Sequence, residues 1–457
     1  ELIMMIEKPT KNLVGTRALV KIRDLNHDGD GVGRLENLVT FVPGALPGEE
    51  VEVEIESLYK KFLRAKLLDI TVKSADRATP PCPHYYSCGG CQLQHLAYQA
   101  QLAWKEARVK EALNRIGKLE VPVLPIIGMD SSYRYRNKAR FHISADRNSL
   151  RAGFFKSNSR QIIEIEDCLI QHPHNMLAIK AIRKAFADNA APGGKGRKLL
   201  PDIHEAELRS SYATGQVLIT LGYRGRLESS VSVEGFSKSI SKYLGDKLAG
   251  ILVKTGRNKN IQYQLISGSP FIEERIEPFC YRISSPSFFQ VNSQQAKRLF
   301  ELAASYAGNP DTAYDLYCGT GNFALYLSQA ANEVVGVDSE VEAIEDARKN
   351  AAANGINNVK FIASPIEKAG ELLRQGKRPI TIILDPPRKG CSASLSKTMA
   401  EIKPERIVYI SCNPATLARD LGLFQQSGFQ AIKAQPVDMF PQTSHVETVA
   451  LMTRVGK

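Results

Sequence analysis

From about residue 310 the chain repeats one unit to its end: an apolar run, a polar turn, then a helical stretch. That alternation is the signature of a doubly wound parallel sheet carrying helices on its faces. The first unit is the most detailed. Ala313-Tyr-Asp-Leu-Tyr317 reads as a strand, Cys318-Gly-Thr-Gly-Asn-Phe323 as a glycine turn, and Ala324 to Ala330 as the helix it enters. Two glycines at a helix start let a ligand come close to the backbone. The G-x-G spacing lacks the third glycine of the dinucleotide fingerprint, which disfavours NAD. A second strand, Val334-Val-Gly-Val-Asp338, ends in a carboxylate placed to accept both hydroxyls of a ribose.

Three later segments add reactive groups to this frame. The strand Pro379-Ile-Thr-Ile-Ile-Leu384 runs into Asp385-Pro-Pro-Arg-Lys-Gly390. Another, Arg406-Ile-Val-Tyr-Ile-Ser411, stops at Cys412-Asn413-Pro414, where the Asn-Pro pair forces a turn. A thiol is thereby set at a strand's carboxyl edge, where open α/β sheets build ligand crevices. A thiolate is a strong carbon nucleophile once neighbours lower its pKa, whereas a lone cysteine is a small buried hydrophobe. Cys391 is a second thiol in the same region, just past the Lys389-Gly390 turn. Phe440-Pro-Gln-Thr-Ser-His-Val-Glu447 precedes the last strand.

The amino-terminal part reads differently. Residues 16–71 alternate like short strands with Gly/Pro punctuation, which predicts a small β-barrel made basic by Lys60, Lys61, Arg64 and Lys66. A break at Pro80-Pro-Cys-Pro83 opens the segment Cys82-x5-Cys88-Gly-Gly-Cys91. An amphipathic helix is expected from about Leu93 to Ile116, with Lys105, Arg108, Lys110 and Arg115 on a solvated face. Residues 130–280 read as mixed α+β, with an exposed loop at 191–198. Within them Tyr133-Arg-Tyr-Arg-Asn-Lys-Ala-Arg140 interleaves aromatics with cations, as stacking on unpaired bases and phosphate pairing require. The eight cysteines are unevenly clustered in a long chain without a leader, which fits reduced thiols better than disulfides. Thiolates suit zinc and iron–sulfur clusters alike, so spacing alone names no metal. A net charge of +12 favours a polyanionic partner, and no apolar run is long enough to span a bilayer.

The set Asp315-x-x-Cys-Gly-Thr-Gly321 with Val-x-Gly-Val-Asp338 resembles the class I S-adenosylmethionine-dependent methyltransferases. Asp385-Pro-Pro-Arg388, Ser411-Cys-Asn-Pro414, His445-Val-Glu447 and Phe288-Phe-Gln-Val-Asn292 together resemble the RNA (uracil-5-)-methyltransferases. Arg388 stands where adenine and glutamine enzymes carry an aromatic ring, and Pro387-Arg388 where cytosine-C5 enzymes carry Pro-Cys. The resemblance implies three domains: a TRAM-like, OB-like RNA-binding barrel (12–71), a mixed α+β central domain with an iron–sulfur site (72–285), and an α/β, Rossmann-like catalytic domain on a mostly parallel seven-stranded sheet (286–457). It implies S-adenosylmethionine and a [4Fe–4S] cluster held by Cys82, Cys88, Cys91 and Cys168.

By the same resemblance Cys412 attacks uracil C6, Glu447 removes the C5 proton and Asp385 orients the uracil edge. Gln290, Tyr317, Gly319, Gly321, Asn322, Asp338 and Asp385 contact the cofactor, while Phe288, Arg134, Arg136 and Arg140 contact RNA. Pro365 occupies the place where relatives often hold the adenine with Asp or Asn. The implied product is 5-methyluridine in structured RNA, 23S ribosomal RNA first and transfer RNA second, made by a cytoplasmic monomer with no membrane partner. An RNA-binding or chaperone protein on an inactive methyltransferase fold is the alternative of another class. The intact glycine loop, Cys412 and Glu447 argue against it.

Overall fold

A computed structural model describes residues 13–145, 149–190, 202–224, 230–256 and 260–455. The chain divides into two units, one running to Gln101 and including Gln442–Ser444, the other formed by Leu102–Pro441 and the chain from His445. In the first unit, β1 (Arg17–Lys21), β2 (Asp24–Leu25), β3 (Gly31–Leu35), β4 (Leu38–Val42), β5 (Glu50–Leu58) and β6 (Phe62–Val72) form one sheet in the order β1-β5-β6-β4-β3-β2. Alternation along β5 buries Val51, Val53 and Ile55 and leaves the glutamates between them partly exposed. The sheet curls until β3 meets β1: a Cβ on Gly33 would lie 2.3 Å from Val20 Cγ1, so only glycine closes the barrel there.

The helix expected from Leu93 begins five residues later, as α1 (Tyr98–Ala112). Its would-be first turn is paired elsewhere: Ala97 N–H donates to the Asp76 carbonyl (2.8 Å) and the His95 carbonyl accepts from Ala78 N–H (2.9 Å). Lys110, on α1, and Arg115, in the turn that follows it, are exposed as expected, but Lys105 is fully buried.

The central part of the second unit carries β7 (Lys138–Ala145), β8 (Leu150–Phe155), β9 (Ile162–Glu164), β10 (Ile203–Ser210), β11 (Val217–Tyr223), β12 (Leu248–Thr255) and β13 (Gln262–Gly268) in the order β13-β12-β11-β10-β7-β8-β9. Helices α2 (Pro173–Ala190) and α3 (Ser230–Leu244) pack on it through Ile179, Ile182, Phe236 and Ile240. The loop expected at 191–198 lies outside the described residues. A hairpin, β14 (Phe271–Ile276) and β15 (Phe279–Ser284), leads into α4 (Ser293–Ala307).

The last sheet contains β16 (Thr312–Leu316), β17 (Glu333–Asp338), β18 (Val359–Ala363), β19 (Ile380–Leu384), β20 (Arg406–Ser411), β21 (Phe429–Val437) and β22 (Glu447–Arg454). Their order is β18-β17-β16-β19-β20-β22-β21: the first five run parallel, and β22 runs antiparallel to both β20 and β21. Every residue of β16 and β19 is buried, as central strands covered on both faces require. The covering helices are α4, α5 (Asn322–Leu327), α6 (Val341–Ala353), α7 (Gly370–Leu373), α8 (Ala393–Ile402) and α9 (Pro414–Gln426). The mostly parallel seven-stranded sheet expected from the sequence is the one that forms. No described helix is long and apolar enough to cross a membrane.

Candidate active site at the carboxyl edge of the parallel sheet

Strand order reverses between β16 and β19, and a crevice opens at the carboxyl ends of such a pair. The glycine turn lies there. Gly319, at φ +52°, has open space where a Cβ would stand, and its N–H donates to Asp338 Oδ2 at 2.9 Å. Gly321, at φ +84°, precedes α5 and faces inward, since a Cβ there would lie 2.8 Å from the Phe361 ring. The two glycines therefore do different things: one leaves room, the other makes the turn. Asn322 is buried and accepts from the Thr320 hydroxyl (3.1 Å), tying the loop to itself. Tyr317 closes β16 in the left-handed region, at φ 68°. Asp338 is held at the tip of β17 by Gly319 N–H and, at 3.0 Å, by Glu340 N–H.

Cys412 lies between β20 and α9, whose start is fixed by Asn413 accepting from Ala415 N–H (3.0 Å) and by Pro414 in the first turn. Antiparallel pairing of β20 with β22 sets Ser411 opposite Thr448. One step further brings Cys412 beside Glu447, the first residue of β22, which is only 4% exposed. Asp385 follows β19, the neighbour of β20 on the other side. These groups act on one another. Burial, then the Glu447 carboxylate, push the Cys412 thiol up to about 11, with Arg388 opposing and Asp385 adding to the rise. Burial and then Asp385 hold Glu447 well above the ordinary carboxylate range, again opposed by Arg388. Burial pushes Asp385 up to about 7. The competing thiol, Cys391, has other neighbours: its N–H donates to Asp420 (2.7 Å), and burial pushes it up to about 12 with Tyr409, Asp420 and Arg419 around it.

Phe288 is 63% exposed on a firmly held backbone. The Ser287 carbonyl accepts from Arg209 (2.8 Å), and the Ser284 and Ser287 hydroxyls both donate to Asp346 (2.6 and 2.7 Å). Gln290 follows on the same loop and is buried.

The expected RNA arginines are engaged with protein groups. Arg134 makes two bonds to Asp167 (2.8 and 2.6 Å), Arg140 reaches Glu207 at 3.3 Å, and Arg136 donates to the Lys138 carbonyl at 3.1 Å. The aromatic interleaving fails at Tyr135, which is 1% exposed because its hydroxyl is drawn inward to the Pro441 carbonyl (3.0 Å). Cys82 and Cys88 are close enough for one charge to bear on the other. However, Cys82, Cys88 and Cys91 belong to the first unit and Cys168 to the second. Among the described residues no group of three or more His, Cys, Asp or Glu side chains is placed to hold a metal ion.

Three residues of this region have surroundings that the sequence does not disclose. Arg388, which in the sequence marks only what other methyltransferases carry there, opposes the rise of Cys412 and Glu447. Asp315 is buried beneath the glycine turn, accepting from Ala324 N–H at 2.9 Å. Burial pushes its carboxyl up to about 8 against that hydrogen bond, with Asp385 and Asp338 adding to the rise. Lys105 falls on the row Gln101, Lys105, Val109, Leu113, whose four-residue spacing was a visible sign that it faces inward.

A family model described as tRNA (uracil-5-)-methyltransferase matches residues 97–455, and the TRAM domain model matches residues 11–68. The chain is 37% identical over 445 residues to an uncharacterised RNA methyltransferase of Halalkalibacterium halodurans, covering 95% of this chain and 96% of that one. It is 38% identical over 457 residues to an uncharacterised RNA methyltransferase of Clostridium acetobutylicum, covering 96% and 97%. Among solved structures it resembles the Pyrococcus abyssi tRNA (uracil-54, C5)-methyltransferase in complex with S-adenosyl-L-homocysteine, with a TM-score of 0.73 and 28% identity over 96% of this chain and 100% of that one.

Proposed function

The chain belongs to the tRNA (uracil-5-)-methyltransferase family and is an RNA (uracil-5-)-methyltransferase; from that premise we propose that Cys412 is its nucleophile, Glu447 its base and S-adenosylmethionine its methyl donor. The observation that carries this assignment is the β20–β22 register, which sets a thiol beside a buried carboxylate at the sheet's carboxyl edge. Uracil C5 is too weak a nucleophile to take a methyl group unaided. With the Cys412 thiol proton passed to solvent, Sγ bonds to C6, and the electron pair driven to C5 takes the methyl group as the donor's sulfur–methyl bond breaks. S-adenosylmethionine, when bound, supplies an electrophilic methyl carbon on its sulfonium. The open space at Gly319, the Asp338 carboxylate and the partly buried Tyr317 fit such a donor, and with Gln290, Gly321, Asn322 and Asp385 they are the residues we assign to it. Glu447 then takes the C5 proton, the C6–S bond breaks, and Cys412 is released. An environment that raises Glu447 makes it a strong base once ionised, while Arg388 favours the charged forms of both Glu447 and Cys412. Asp385, beside them, is assigned to the uracil edge.

For RNA contact we assign Phe288, a ring held out on an anchored loop, together with Arg134, Arg136 and Arg140. The barrel supplies a second platform: Tyr59 stacks on Phe62 (4.4 Å between centroids) at a hairpin whose tip is the exposed pair Lys60 and Lys61. We propose 23S ribosomal RNA as the first target, on the barrel and cysteine pattern, and transfer RNA as the second, favoured by the Pyrococcus abyssi likeness. Mapping 5-methyluridine in both RNAs of a deletion strain decides between them. A [4Fe–4S] cluster on Cys82, Cys88, Cys91 and Cys168 is a separate proposal resting on the family resemblance of the cysteine pattern; no step here runs through it, and iron and acid-labile sulfide analysis of anaerobically purified protein tests it. The chemistry is tested with 5-fluorouridine RNA, where fluorine blocks the final proton loss. Wild type should form a denaturant-stable adduct and Cys412→Ala none. A wild type that binds this RNA without forming an adduct would overturn the assignment.

A further inference from the structure

Asp438 to Val446 is the connection between β21 and β22, and Val437 pairs with Glu447 across it. Its backbone is held in an unusual way. The Asp438 carbonyl accepts from Gln295 (3.2 Å), that of Met439 from Asn292 (3.1 Å), that of Phe440 from Lys105 (3.0 Å) and that of Pro441 from the Tyr135 hydroxyl (3.0 Å). Four consecutive carbonyls thus receive side chains from three separate segments of chain, all remote in sequence. Asp438 N–H also donates to the Ile127 carbonyl (2.9 Å). Within the other unit, Gln442 exchanges two hydrogen bonds with Gln101, at 3.0 and 3.1 Å.

Lys105 is the costliest member of this set. Its ammonium lies 2.6 Å from Asp438 Oδ1, with both side chains fully buried. Burial pulls Lys105 down and Asp438 holds it up. Buried pairs of this kind are seldom the best route to stability, because both charges lose their water. What this one secures is geometry, since the same ammonium also fixes the Phe440 carbonyl. Its charge further reaches the site: burial first, then Arg388 and Lys105, push the His445 imidazole down to about 4.

We propose that Lys105 is a positioning residue for Glu447, fixing through the Asp438–Pro441 backbone the point at which β22 begins and so where the carboxylate meets the C5 proton. This rests on the assignment of Glu447 as the base. Displacing that base leaves attack and methyl transfer intact and slows only proton removal, so the methylated enzyme–RNA adduct should build up on ordinary uridine RNA.

The test compares Glu447→Gln, Lys105→Met/Asp438→Asn and Tyr135→Phe with wild type in the full chain. The double variant removes both buried charges together, and Tyr135→Phe removes one donor while keeping the ring. Each is checked for a cooperative thermal transition, then incubated with uridine RNA and S-adenosylmethionine and run on a denaturing gel. The double variant should accumulate methylated adduct as Glu447→Gln does, with kcat reduced about 10- to 100-fold and KM for RNA unchanged. Tyr135→Phe should show a smaller kcat loss in the same direction. If Glu447→Gln traps adduct while both Lys105 and Tyr135 variants turn over normally, or lose activity without adduct, the positioning role is overturned. If Glu447→Gln traps none, the base assignment itself falls.

Discussion

The carboxyl edge of the parallel sheet and the β7–β10–β12 region of the central sheet both concentrate charge, and they treat it in opposite ways. On the central sheet three cations meet carboxylates: Lys138 with Glu207 at 2.7 Å, Arg140 with Glu207 at 3.3 Å, Lys254 with Glu205 at 3.2 Å. At the sheet edge Asp385 and Glu447 crowd the Cys412 thiol and Asp315 lies near Asp385; all four are pushed upward, and Arg388 relieves Cys412 and Glu447. Partly exposed pairs are worth roughly 0–1 kcal/mol each and mainly knit a surface together. Buried acids that crowd one another destabilise a fold, and they are kept where a reaction uses the proton they hold.

Four substitutions probe that contrast. Cys412→Ala should lower turnover by roughly 10⁴-fold or more while donor affinity, read by calorimetry, stays within about twofold. Residual methylation near the wild-type rate would mean the edge is not where the reaction occurs. Arg388→Met comes next. Arg388 lowers the pKa of Cys412 and Glu447, so its loss raises both and leaves fewer molecules ionised at a given pH. The rising limb of kcat/KM should move to higher pH, with a loss of about tenfold at neutral pH. An unmoved limb would show that Arg388 does not tune these groups.

Asp315→Asn should act on stability. A carboxyl whose pKa rises on folding binds more protons folded than unfolded, so its contribution is intact below 3.8 and declines as pH climbs toward about 8. Asparagine can still accept from Ala324 N–H but does not titrate. The variant's melting temperature should therefore exceed that of wild type at pH 9 and lose the advantage at pH 4. Equal pH dependence in both proteins would remove Asp315 from the strained set. The smallest effect belongs to the paired sheet: Lys254→Ala, which breaks the pair with Glu205, should change stability by less than about 1 kcal/mol and RNA affinity by less than about threefold. A tenfold loss of RNA binding would show that these pairs open for the substrate and would erase the contrast.

The parts legible in the sequence were those where local chemistry and tertiary placement agree. β19 is a continuous apolar run and β16 and β20 are nearly so, each closed by turn residues, and the Asn413-Pro414 turn after Cys412 is also a helix start. Glu447 was visible only through a family motif, because its meeting with Cys412 depends on pairing between strands distant along the chain. Long-range partners hid the rest. Pro441 draws Tyr135 inward, Asp438 draws in Lys105, and the Asp76–Ala78 backbone takes residues that would otherwise have begun α1. The cysteine spacing was clear as a pattern, yet spacing fixes neither side-chain direction nor the position of Cys168.

The β21–β22 connection also restricts how this part of the chain can change. Strand side chains alternate with a period of two, so one residue gained or lost between Asp438 and Val446 slides β22 by a step. Thr448 or Val446 would then arrive beside Cys412, and Val449 and Leu451 would exchange cores with Ala450 and Met452 on the opposite face of the sheet. The loop cannot absorb the difference by bulging, because its carbonyls are pinned from Asp438 to Pro441. Its residues can be exchanged more freely than its length: homologous loops should vary in letters and resist insertions and deletions.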